Sequence, residues 1–270
     1  MVTYFVKEII KKRKSVRTFA GRPLSAEHLK ALEKHIGSQT NPFGVPVVFR
    51  LLDVKEHGLS SPVILGEATY LAAKVKRVPR YEIAFGYSFE EACLFALSLG
   101  IGTVMLAASL NRAAFEKAIA VGADEVMPVA SPLGYPADKR SMREKLMRKG
   151  IKADERLPFE KLFFEGGFDR PLSESDPFSE ALSMVRLAPS AANKQPWRAV
   201  VSGNTVHFYE YKTVKDSPRG DIQKVDIGIA LAHFDLTEKE NSHSGNYTER
   251  DPKLALPENT HYIISYERAE

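Results

Sequence analysis

The chain has 270 residues, 44% of them hydrophobic and 27% charged, with a net charge of +4. That length allows one large domain or two modest ones, with a core hiding roughly 70–75% of the unfolded surface. The mild charge, without a dense basic stripe interleaved with aromatics, argues against a nucleic-acid binder, and no apolar run reaches the length of a membrane span. Cys93 is the only cysteine, so neither an intrachain disulfide nor a cysteine-rich metal centre is available. It sits in the apolar stretch EEACLFALSLG and reads as a buried hydrophobe. No signal-peptide pattern opens the chain, and a cytoplasmic protein is expected.

In chain order, TYFVKEIIKKRKSVRTF reads as a short helix from Thr3 that ends in a basic loop. PLSAEHLKALEKHIG is a helix: Ser25 is its cap, Leu24 and Leu29 form a hydrophobic staple, and Leu29, Leu32 and Ile36 share a face. Gly37 fits its end. VPVVFRLLDV and SSPVILGEATYLAA read as strands. SFEEACLFALSLGIG is apolar on nearly all sides and reads as a buried central helix stopped by Gly100 and Gly102. TVMLA continues as a strand, Asn111 caps the helix RAAFEKAIAV, and Gly122 ends it. EVMPVASPLGYP is a strand in which Pro128 marks an edge or bulge. DKRSMREKLMRKG is a basic surface helix or arm, and the aromatic LPFEKLFFEGGFD reads as a crossing segment.

The pattern then restarts. Asp176 caps a helix with Pro177 at its first position, and Phe178, Ala181, Leu182 and Val185 form its apolar face. RAVV and TVHFYEY flank Gly203-Asn204 as a hairpin. IQKVDIGIALAHFDLTEKE is a second mostly apolar helix, and THYIISYE a last strand. Helix 25–36 corresponds in order to 177–187, loop 38–46 to 188–197, helix 89–99 to 225–239, and strand 126–133 to 260–267. The order of elements implies an internal duplication, with copies at 1–165 and 166–270 and the second one shorter.

Two stretches carry candidate chemistry. RKSVRTF places Arg13, Ser15 and Arg17 at alternate positions, so an extended backbone points them one way. Two guanidiniums and a hydroxyl suit a phosphate or a polar ring edge; the alternative is a solvated basic face. APSAANKQPW has small residues where a planar ligand could approach the backbone, with Asn193 and Gln195 as donors and acceptors. The alternative there is a proline-ended helix with a packed Trp197. His207 in a strand and His233 on a helix read as structural, and GIG at 100–102 follows a helix and lacks a dinucleotide-binding spacing.

Together, RxSVRxF after a helix and APSxxNxQPW before a strand resemble the nitroreductase family of flavin enzymes. GIGTVMLAASLNRAAFEKAIAVG and VASPLGYP are similar to its central region. The resemblance implies an α+β, nitroreductase-like fold with central antiparallel sheets flanked by helices. Family members are homodimers with FMN at the subunit interface, between the basic motif of one subunit and the PSxxN loop of the other. Here the first copy has the basic motif but reads GSQTNPFGVP at the loop, whereas the second has the loop but reads GGFDRPLSES in place of the basic motif. The chain thus resembles the branch with a fused, degenerate second copy, the Thermotoga-type nitroreductases. The expectation is a monomeric intrachain pseudo-dimer with one composite FMN site and no metal.

Carried over residue by residue, Arg13, Lys14 and Ser15 would face the FMN phosphate and ribityl end, and Arg17 the pyrimidine edge. Ala108 and Ser109 belong to the turn whose backbone approaches the flavin. Pro189, Ser190, Ala191, Asn193 and Gln195 would close the other side, and Arg140 or Arg143 would add a phosphate contact. The implied activity is hydride transfer from NADH or NADPH to flavin N5, followed by reduction of a nitro, quinone or related small-molecule acceptor. The chemistry is carried by the flavin, with no catalytic side chain. A flavin-binding or sensing protein without turnover, and a pseudoenzyme serving only protein contact, are the competing readings.

Overall fold

The computed structural model describes residues 5–269; Thr3 and Tyr4, at the start of the expected first helix, lie outside them. Helix α1 (Val6–Lys12) buries Val6 and Ile10 and ends as Arg13 turns extended, and Ser15 then bridges to Thr103. α2 (Ala26–Gly37) begins where Ser25 Oγ accepts the His28 N–H at 3.2 Å, and Leu24 and Leu29 both reach the core. β1 (Val47–Asp53) runs into a single helical turn, α3 (Val54–His57), whose N–H groups the Asp53 carboxylate caps. β2 (Thr69–Lys76) is shorter than the strand expected from Ser60 onward. Pro62 has no N–H to give a ladder, and Gly66 adopts φ +77°, so pairing starts only after that turn.

α4 (Tyr81–Ser98) begins two turns before the apolar stretch that announced it, with Arg80 at its N-cap. β3 (Gly102–Thr103) ends early: beyond Thr103, only Leu106 of TVMLA makes a bridge, to Ala130. α5 (Arg112–Ala118) is not capped by the Asn111 side chain; the Asn111 carbonyl accepts the Ala114 N–H instead. It stops before Ala120, which takes φ 49°. Pro128 divides the next expected strand into β4 (Glu125–Val126) and β5 (Ala130–Gly134). α6 (Met142–Gly150) is capped by Ser141 Oγ.

The crossing segment contains β6 (Phe163–Glu165). α7 (Ser179–Arg186) opens later than Pro177, because the Asp176 carboxylate binds the Phe178 N–H in a turn ahead of the helix. β7 (Trp197–Ser202) and β8 (Thr205–Tyr211) form the expected hairpin, with Gly203 at φ 58°. α8 (Ile222–Glu240), β9 (Gly245–Thr248) and β10 (Thr260–Arg268) complete the chain; β9 has no signal in the sequence pattern.

The protein is α+β with two sheets. One runs β1-β2-β5-β3, with β4 also on β2, and is antiparallel throughout. The other runs β6-β7-β8-β10-β9 and is antiparallel except at its edge, where β6 lies parallel to β7. The expected antiparallel sheets are present, with β6 as a parallel addition at one edge. A chain that leaves β6, forms α7 and returns to the same sheet makes a crossover, which delivers a parallel neighbour. Cys93 is buried, as expected. Among the described residues no helix is long and apolar enough to cross a membrane.

α4 and α8 pack on each other at the centre, and glycine permits their approach. A methyl on Gly86 would overlap the Val225 carbonyl oxygen, and one on Gly228 the Ile83 carbonyl oxygen. The contact is reciprocal, with the same three-residue spacing on both helices, so the crossing is close to two-fold symmetric. Each sheet contains a run of three antiparallel neighbours, β1-β2-β5 in one and β7-β8-β10 in the other.

Candidate functional site

A cavity of about 390 Å³ lies between the basic motif and the APSAANKQPW loop. Arg13, Lys14, Ser15 and Arg17 line it from one side, and Ala107 and Ser109 from the turn before α5. Pro189, Ser190, Ala191 and Asn193 line it from the other. Two stretches about 175 residues apart in sequence thus meet across one cleft. Ile222, Val225, Asp226 and Ile229 of α8 form part of its wall.

Four of the expected residues are not on that lining. Ala108 lies between two residues that are. Arg140 reaches back to Glu144 at 3.6 Å, and Arg143 donates to the Pro62 carbonyl; both are exposed. On α6 the cleft-facing arginine is Arg148, five residues past Arg143 and so about 140° further round the helix. Gln195 is buried as an internal strut: its Oε1 accepts the Leu157 N–H at 2.8 Å and its N–H donates to Ser190 Oγ at 2.9 Å.

Arg156 is a second cation that the sequence pattern does not reveal. It precedes Leu157-Pro158 in the crossing region and lines the cleft beside Asn193, whose Oδ1 accepts from its Nη1 at 3.3 Å. Asn193 Nδ2 in turn donates to the carbonyls of Lys152 and Glu155, at 2.7 and 3.0 Å. These bonds tie the loop to segment 152–156. No local pattern marks Arg148 or Arg156; each is one arginine among several in a basic stretch.

The cleft is strongly cationic. The charge of Arg13 is met within the protein by Glu90, whose Oε1 lies 2.9 Å from Arg13 Nε, although that Nε makes no aligned hydrogen bond. Glu90 also meets His233 Nε2 at 2.8 Å, and His233 Nδ1 lies 2.9 Å from the Met184 carbonyl oxygen, so this histidine is a buried structural link. His207 is likewise held, against Ser265 Oγ at 2.7 Å. Arg148 pairs with Asp154. Arg17 differs: it is only 9% exposed, and its Nε and Nη1 have no protein partner. Burial pulls its guanidinium below the usual arginine range; Glu144 opposes this, while Arg148 and Arg13 add to it. Arg156 Nε is also buried without a partner, and burial, then Arg13, lowers that group too. Buried donors of this kind are costly unless a ligand meets them.

The opposite lip is unusual in its backbone. Ala192, Asn193 and Gln195 all adopt left-handed φ, at 48°, 56° and 49°. Such conformations persist where surrounding structure over-determines them, and they cluster at ligand sites. Trp197 is fully buried beside them. A packed tryptophan and a loop that lines the cleft coexist here.

The family model described as "Putative TM nitroreductase" matches residues 5–238. The chain belongs to that family. Among solved structures, a "putative nitroreductase" from Thermotoga maritima is 21% identical, with a TM-score of 0.65 and 99% of this chain and 95% of that one covered. A structure described as "the oxidoreductase containing FMN" is 15% identical, with a TM-score of 0.51, covering 62% of this chain and 95% of that one. A search of curated proteins finds no match. The likenesses establish the nitroreductase fold. In this nitroreductase-family chain the cleft runs between elements of both halves, and nine of the thirteen residues expected at the site line it.

Proposed function

We propose that this chain is an FMN-dependent oxidoreductase of nitroreductase type, taking electrons from NADH or NADPH and passing them to a nitro, quinone or related acceptor in the cytoplasm. The observation that carries the reading is Arg17: a buried guanidinium, facing a cleft, with two nitrogens unpartnered. Arg156 Nε repeats the pattern. The cavity falls in the range of roughly 300–1,000 Å³ that small-molecule and cofactor sites occupy. A phosphate monoester carries about −1.5 to −2 charges at neutral pH, and the cations needed to meet it line the same wall. The residues fit the group.

Lys14, Ser15 and Arg156 would hold the phosphate and ribityl end, beside Arg13 and Arg148, whose charges Glu90 and Asp154 already meet; Arg17 would hold the polar edge of the ring. Ser109 and the small residues Ala107, Pro189 and Ala191 let a flat ligand lie close to the backbone, and Val225 and Ile229 exclude water from one wall. Bound there, FMN supplies the two-electron chemistry that no side chain of the cleft offers. The positive charge of Arg17 favours whichever state of a bound ligand carries negative charge at the ring edge. No acid–base histidine is required, and His207 and His233 are both engaged elsewhere.

The reciprocal glycine crossing of α4 and α8 and the antiparallel three-strand run in each sheet support two copies, 1–165 and 166–270, folded as an intrachain pseudo-dimer. One composite site follows. The spacing set by the glycine pair makes Tyr87 the counterpart of Ile229. There Tyr87 packs on Phe43 at 5.8 Å, and Phe43 on Tyr247 at 5.3 Å, so aromatic rings occupy the place of a second cleft. The test is flavin content and reduction: purified chain binds one FMN, and NADH or NADPH bleaches it anaerobically. Protein that takes up no FMN refutes the reading; bound flavin that neither donor bleaches leaves a binding protein without turnover.

A further inference from the structure

Asp226 stands on the wall of the cleft and has no role in the reading above. It is 3% exposed, and both carboxylate oxygens lie 3.1 Å from the Ala191 N–H. Ala191 immediately precedes the left-handed residues Ala192 and Asn193. Each non-glycine residue held there costs on the order of 1–2 kcal/mol, so the lip needs fixed anchors to keep its shape. Asn193 and Gln195 anchor its far side to residues 152–157. Asp226 anchors its near side to the buried helix α8, both side-chain oxygens lying within hydrogen-bond distance of the Ala191 N–H.

The anchor exists on one side of the molecule alone. Counting from the glycine pair, Gly228 matches Gly86 and Asp226 matches Ala84, which has no acceptor to offer. The corresponding loop of the first half is tied down differently: Gln39 Nε2 donates to the Ser88 carbonyl at 2.8 Å, and Asn41 Nδ2 to Ser88 Oγ at 3.2 Å. That loop is drawn onto α4, where the Phe43 ring fills the space.

We propose that Asp226 is a positioning residue: by gripping the Ala191 N–H it pre-forms the lip that receives the flavin, and its replacement by alanine in the first half is part of why only one cleft remains open. The role rests on the FMN reading. A pre-formed lip raises affinity because the ordering cost is met before the ligand arrives. Burial pushes the Asp226 carboxyl well above the usual carboxylate range and the Ala191 N–H opposes that, so the polar group buried in this wall is met by the lip it holds.

The test compares full-length wild type with Asp226→Asn, which keeps an acceptor oxygen, and with Asp226→Leu and Asp226→Ala, which do not. Amide exchange in the ligand-free protein is read by mass spectrometry on peptides spanning 188–196, and FMN affinity by titration with emission from Trp197, the only tryptophan. Expected are faster exchange confined to the lip and FMN affinity weaker by about tenfold or more in whichever of the Leu and Ala variants folds, with both near wild type in Asp226→Asn. Unchanged lip exchange in both apolar variants overturns the proposal. Wild type that binds FMN alongside apolar variants that bind it equally well also overturns it, while leaving the flavin reading intact. Wild type that binds no FMN overturns both.

Discussion

Replacing Arg17 by methionine should affect binding and stability in opposite directions. The side chain is buried, and its Nε and Nη1 bond to nothing in the protein. Its acidic neighbour Glu144 keeps other partners, accepting from Thr18 Oγ1 at 2.8 Å and pairing with Arg140 at 3.6 Å, so removing the guanidinium strands no carboxylate. A buried donor left unsatisfied costs roughly 1–3 kcal/mol. Methionine fills similar space without that cost, so the flavin-free protein should gain about 1 kcal/mol, or roughly 2–4 °C in melting temperature for a chain of this size. With FMN the sign reverses. One charge-assisted hydrogen bond is worth roughly 1.5–3 kcal/mol, and its loss weakens affinity by about 10- to 150-fold. The assays are thermal denaturation of the apoprotein and fluorescence titration with FMN. An apoprotein that loses stability while its FMN affinity stays unchanged would show Arg17 to be a structural residue and refute the reasoning.

Gly86→Ala should destabilise by about 1–3 kcal/mol or more, since the added methyl meets a backbone carbonyl that cannot rotate away; urea denaturation measures it, and Gly228→Ala should behave alike. His35, stacked on Phe95 at 4.0 Å, is pushed down by burial from 6.5 to about 4. Between those values the unfolded chain binds the proton and the folded one does not. The contribution is therefore complete above pH 6.5 and lost as pH falls toward 4, with a slope of at most about 1.4 kcal/mol per pH unit. His35→Phe keeps the stacked ring and should flatten that part of the stability–pH profile; an unaltered profile would exclude His35 as its source. FMN titration should saturate at one per chain and light scattering should return a monomer, whereas two per chain would sink the composite-site argument.

Much of the fold can be read from local pattern. Ser25, the hairpin glycine Gly203 and the apolar stretches of α4 and α8 act over a few residues, so their elements appear where the sequence places them. The failures share a cause. Strand extent after Ser60 and after Thr103 depends on whether a partner backbone lies alongside, and hydrophobicity does not report that. The parallel edge strand β6 depends on where the chain returns after α7. The site divides the same way. RKSVRTF and APSAANKQPW carry enough residue-type information to mark the two lips. The order of elements suggests that those lips face each other.

What the sequence determined by itself was chemical: which stretches hold guanidiniums, amides and a backbone free to approach a flat ligand. Only the tertiary structure decided which of those groups are free to bind. Arg17 is unpartnered, whereas Arg13 is claimed by Glu90 and Gln195 by Leu157. Arg148 and Arg156 replace Arg140 and Arg143 because of helical phase and the path of the linking segment. The physical reason is that a hydrogen bond needs its partner within about 3 Å. The two lips are separated by about 175 positions, and the partners that claim Arg13 and Gln195 lie dozens of positions away, distances over which sequence periodicity carries no phase.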